Sequence, residues 1–86
     1  MSSRYAFAAD DSVVEFFSRC SKREREDLLR LFRSLADSPH QKGEWIQKGR
    51  SGREFQVKRF GRWIVTFWPD DPVLELRVVD LKKVVP

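Results

Sequence analysis

Arg53-Glu54-Phe55-Gln56-Val57-Lys58-Arg59, followed closely by Gly61-Arg62 and Trp63-Ile64-Val65-Thr66-Phe67, is the stretch of this 86-residue sequence on which its architecture turns. Phe55 and Val57 recur at period two, as do Trp63, Val65 and Phe67, and such alternation sends successive side chains to opposite faces of a strand. Gly61-Arg62 leaves room only for a tight turn, so these two strands are antiparallel neighbours. Downstream, Pro69-Asp70-Asp71-Pro72 reads as a turn, and Leu74, Leu76 and Val78 then repeat the alternation. The three strands make a meander. On this reading Phe55 and Val57 face the core and Lys58 the open side. Leu74, Leu76 and Val78 face in, Glu75, Arg77 and Val79 face out, and Asp80-Leu81-Lys82-Lys83 leaves the sheet edge. Upstream, Trp45 and Ile46, bounded by Gly43 and Gly49, either add a short strand or cover an edge.

Farther toward the N-terminus the period changes. Arg4 to Ala8 alternate, with Tyr5 and Phe7 on one side, as a short strand would. Asp10 or Asp11 then caps a short helix whose apolar positions are Val13, Phe16, Phe17 and Cys20. Ser21-Lys22-Arg23-Glu24 matches the capping box, in which the Ser hydroxyl and the Glu carboxylate each take one end-of-helix backbone amide. The helix it starts carries Leu28, Leu31, Phe32 and Leu35 on one stripe, and Asp37-Ser38-Pro39 ends it. The expected fold is α+β: an N-terminal strand, a two-helix antiparallel hairpin, then a three- or four-stranded antiparallel sheet with one face under the helices. At this length residues 1–86 are expected to form one domain.

Composition narrows the function classes. No apolar run approaches the ~20 residues of a membrane span, and no secretory leader pattern opens the chain, so a soluble cytoplasmic protein is expected. One Cys, Cys20, and one His, His40, cannot make a disulfide framework or a Cys/His zinc site, so no metal and no cofactor are expected. Cys20 reads as a small core residue, His40 as a loop residue, and Asp70 and Asp71 as turn formers. The net charge is +4, but Lys42 to Arg62 alone hold seven basic and two acidic residues, a net +5. This segment also contains all four glycines, which lets a bulky polyanion approach the backbone. With Arg77, Lys82 and Lys83 added, the basic groups form a candidate phosphate-binding surface; Phe60 and Trp68 are either candidates to stack on bases or core and edge-covering residues, and Trp63 reads as one of the latter.

The order of these pieces resembles the RelE/ParE superfamily of bacterial toxins from toxin–antitoxin pairs. The features concerned are the helix pair ending in Leu35-Ala36-Asp37-Ser38-Pro39, the glycine-rich basic segment, the strand Arg53 to Lys58, the hairpin Gly61 to Phe67 and the last strand Leu74 to Leu81 with its basic end. The resemblance spans almost the whole chain and implies a microbial RNase-like fold. It also implies a cognate antitoxin as partner, and either ribosome-dependent cleavage of mRNA in the A site, as in the RelE branch, or inhibition of DNA gyrase, as in the ParE branch. The RelE branch is the closer match. In it, Lys58 corresponds to the second basic position of the central strand and Gln56 to the first, where Lys is usual. Arg62 or its neighbour Trp63 corresponds to the arginine after the turn, and Lys83 lies near the arginine after the last strand. The C-terminal helix and late Tyr of some members have no counterpart before Pro86. Gln56 and that missing Tyr motivate the gyrase alternative, and equally a degenerate member that only binds RNA or protein.

Cleaving RNA through its own 2′-OH requires a proton acceptor, charge stabilisation at the pentavalent phosphate and a donor for the departing 5′ oxygen. The expected catalytic residues are Lys58 as base, favoured in its neutral form by like charges nearby, Arg62 as a bidentate phosphate clamp, and Lys83 or Arg53 as stabiliser or donor. Arg50, Arg53, Gln56, Arg77 and Lys82 are the expected RNA-binding residues. An antitoxin is expected to dock as an amphipathic helix and strand on apolar and basic surface.

Overall fold

The computed structural model describes residues 4–85. In order these form β1 (Ala6–Ala9), α1 (Asp11–Ser18), α2 (Lys22–Asp37), β2 (Trp45–Lys48), β3 (Glu54–Phe60), β4 (Trp63–Asp70), a 3-10 turn (Asp71–Val73) and β5 (Glu75–Lys83). The strands make one five-stranded sheet in the order β1-β5-β4-β3-β2. The last four are the expected antiparallel succession, with Trp45 and Ile46 forming a real strand. The first strand joins the same sheet parallel to β5, so the sheet is mixed.

Local chemistry sets the helix ends. Ser21 is extended and its hydroxyl accepts the Glu24 amide at 3.2 Å, while Glu24 Oε1 accepts the Ser21 amide at 3.0 Å, completing the capping box. Asp10 precedes α1 with extended backbone, and its carbonyl, not its side chain, accepts from Val13 and Val14. The helix stripes bury Val13, Leu28, Phe32, Leu35 and Ala36 against Trp63, Val65, Phe67, Leu76, Val78 and Leu81. Each large apolar group so buried contributes roughly 1.5–3 kcal/mol. No helix is long and apolar enough to cross a membrane among the described residues.

Two expectations about faces are overturned. Lys58 pairs with Val65, Gln56 with Phe67 and Phe60 with Trp63, and paired residues share a face. Lys58, Gln56 and Phe60 therefore point to the helix side, while Val57, opposite Thr66, points away and is buried outside the main core. The alternation of β3 was right, but its phase was reversed because both sets of positions carry a large apolar residue. The second correction concerns β5, which does not leave the sheet after Val79. Thr66 pairs with Asp80 and Phe67 with Val78, so Val79 is an extra residue, and this bulge brings Leu81 and Lys83 back to the helix side. Leu74, expected inside, has φ 53° after the 3-10 turn and is exposed.

Candidate nucleic-acid interface

The helices pack on β1 and β5, and β3 and β2 extend past them. On the helix side of that overhang β3 presents Gln56, Lys58 and Phe60, and β2 the exposed Ile46 opposite Gln56. Lys58 Nζ donates to Gln41 Oε1 at 3.2 Å and lies 5.1 Å from the centre of the Phe60 ring. Gln56 Oε1 accepts the Gly43 amide at 2.7 Å. That bond ties the segment after α2 to β3, so Gln56 has a structural partner where the resemblance expects a free Lys.

Phe60 pairs with Trp63, and Trp63 pairs in turn with Lys83, so an aromatic step leads from Lys58 to a second group of cations. Gly61, at φ 59°, makes the turn that brings Arg62 round to this side. The Arg62 guanidinium lies 5.2 Å and Lys83 Nζ 5.9 Å from the Trp63 ring centre. Both cations meet one carboxylate: Lys83 donates to Glu24 Oε2 at 2.8 Å, and Arg62 stands 3.9 Å from the same oxygen. The Lys83 hydrogen bond is the chief reason the Glu24 carboxyl is lowered to about 2, with the Ser21 amide adding to it. Nearby, burial is the main influence pushing the Cys20 thiol up, and Glu24 adds to it, which suits a packed residue. Trp63 is buried, so of the two residues left open for the arginine position it is Arg62 that reaches solvent.

The remaining expected RNA-binding residues lie apart. Arg50 is exposed in the β2–β3 connection, at the far end of a strand about 20 Å long. Arg53 stacks 3.7 Å over Trp68, whose β5 partner Arg77 shares its face, away from the helices. Arg77 is engaged by Asp70 and Glu75, each at 3.0 Å. Lys82 pairs with Ile64, again on the outer face, 3.9 Å from Asp80. The structure thus brings Lys58, Arg62 and Lys83 to one face and sends Arg53, Arg77 and Lys82 to the other.

Three participants were not expected from sequence. Glu24 was visible only as a helix cap, and Gln41 carried no signal. The third is Asp71, which accepts the Tyr5 hydroxyl at 2.6 Å and lies 2.8 Å from His40 Nε2, so the turn aspartate also fastens β1 and the α2–β2 loop together. Tyr5 first, then His40, holds the Asp71 carboxyl below its usual range. Among the described residues no group of three or more His, Cys, Asp or Glu could hold a metal ion.

A chain of the intact E. coli RelBE toxin–antitoxin complex has a similar structure, with a TM-score of 0.59 and 14% identity over 95% of this chain and 99% of that one. The fold is RelE-like. No protein-family model and no curated protein matches the sequence.

Proposed function

We propose that this protein is the toxin of a toxin–antitoxin pair and inhibits translation by cleaving mRNA on the ribosome. The observation that carries the reading is the cationic row Lys58, Arg62 and Lys83 along the helix-side margin of the sheet, with Phe60 beside Lys58 and the buried Trp63 ring beneath Arg62 and Lys83. Such a row offers cations for successive phosphates and an aromatic edge beside them. In the proposed reaction Lys58 takes the proton of the 2′-OH. That oxygen attacks phosphorus, and the bond to the 5′ oxygen breaks. Arg62 holds the charge building on the phosphate, and Lys83 supplies a proton to the leaving oxygen. An antitoxin would find a seat in the open apolar groove of about 250 Å3 between α1, α2 and the free edge of β1, lined by Phe7, Val14, Phe17 and Leu29 among others.

The test is induction of wild type and Lys58→Ala from a tight promoter, with growth followed and mRNA 5′ ends mapped. Arrest with new 5′ ends is expected, and Lys58→Ala should lower cleavage about 100-fold or more while the protein stays folded. Arrest without new ends would replace this reading with gyrase inhibition, which a supercoiling assay on purified protein then checks. No arrest at all would leave a protein that only binds RNA or a partner.

A further inference from the structure

Glu24 sits where an anion would be expected. Its Oε2 is 2.8 Å from Lys83 Nζ and 3.9 Å from Arg62, two cations that come from different elements and share the Trp63 ring as a floor. The carboxylate is largely screened from solvent, at 18% exposure, whereas Lys83 and Arg62 keep 40% and 49%. The open side of the pair therefore belongs to the cations. At 3.9 Å the guanidinium is beyond hydrogen-bond reach of Oε2, so its fork is attracted but not engaged there. The other carboxylate oxygen stays with the Ser21 amide as part of the cap. Releasing Lys83 would therefore cost one ion pair and leave the helix end intact.

We propose that Glu24 is a built-in competitor for phosphate, its carboxylate occupying the place that a phosphodiester of the RNA takes between Lys83 and Arg62. This rests on reading those two cations as phosphate ligands. Glu24 then sets how tightly RNA is held, since each binding event must exchange an internal carboxylate for an external phosphate. The cap provides the means of testing it. Gln serves at the third helical position of a capping box as Glu does, so Glu24→Gln removes the charge and keeps the cap. Ser21→Ala does the reverse, since it removes the hydroxyl cap and leaves the charge.

The experiment is titration of each variant with a short single-stranded uridine oligonucleotide and, separately, with inorganic phosphate, following the Arg62 and Lys83 side-chain resonances. Glu24→Gln should tighten RNA binding roughly two- to fivefold and steepen its salt dependence, while Ser21→Ala should leave affinity unchanged. Arg62→Ala with Lys83→Ala should abolish the gain. If Glu24→Gln leaves affinity unchanged or weakens it while loss of the two cations still weakens wild-type binding, the competitor idea is overturned and the phosphate reading stands. If loss of the two cations has no effect on binding, both fall. Should Glu24→Gln prove poorly folded, Glu24→Ala removes the same charge, and the same tightening is expected of it.

Discussion

The β4–β5 pair and the β2–β3 pair are both antiparallel ladders with alternating sequences, yet they live in different environments. Trp63, Val65, Phe67, Leu76, Val78 and Leu81 are buried beneath the helices, while all four residues of β2 are exposed. The difference comes from how far the helices reach, since α1 and α2 make their main contacts with β1 and β5. The helix-side positions that the helices cover on β4 are the large apolar Trp63, Val65 and Phe67, whereas their β3 partners on the same face include the polar Gln56 and Lys58. The same face thus supplies a core at one end and a cationic surface at the other.

The largest test of that contrast is truncation on each side of it. Phe67 is fully buried and central, and Phe67→Ala should cost about 3–5 kcal/mol, measured by urea unfolding. Trp45→Ala, at a residue 48% exposed on the edge strand, should cost under about 1 kcal/mol. Comparable losses at the two sites would mean that the overhang is as much a part of the core as β4 and β5.

A smaller effect probes the join between the two regions. At Gly43 a Cβ would meet the backbone of Val57, 2.7 Å from its nitrogen, with no flexible atom to yield. The neighbouring Glu44 amide donates to the Val57 carbonyl at 2.8 Å, so the added methyl group would push β2 off β3. Gly43→Ala should destabilise the overhang by about 1–3 kcal/mol. Amide exchange should accelerate roughly tenfold or more in β2 while β4 and β5 keep their protection. An equal loss of protection across all strands would show that the sheet opens as one unit.

The sequence made some of this legible and not the rest. The order of elements was readable because capping at Ser21, the tight turn at Gly61 and the period-two strands are local properties. The phase of β3 was not readable. Phe55 and Val57 on one side and Phe60 on the other offer both faces an apolar claim, and only the pairing with β4 decides between them. The continuation of β5 was lost at Val79, because a bulge interrupts the period that would have revealed it. The Lys58, Arg62 and Lys83 positions were picked out by resemblance, but Glu24 lies 59 residues from Lys83 and their meeting is a product of tertiary packing alone.

The smallest expected effect is read in acid and concerns the contact between α2 and the basic margin of the sheet. The Glu24 carboxyl is lowered from 4.5 to about 2 by Lys83 and by the cap. A folded value below the unfolded one means that the ion pair stabilises the protein fully above about pH 4.5, and that this contribution fades as pH falls toward 2. Unfolding free energy measured in urea should therefore decline through that window in wild type, and decline less in Glu24→Gln. Asp71, held low by Tyr5 and His40 at another part of the sheet, leaves a residual slope that Glu24→Gln does not remove. Parallel slopes for the two proteins would mean that Lys83 does not hold Glu24 in solution. The cations at this margin would then be as free as those of the open overhang, and the boundary between the packed and exposed regions would lie on the helix side of Trp63.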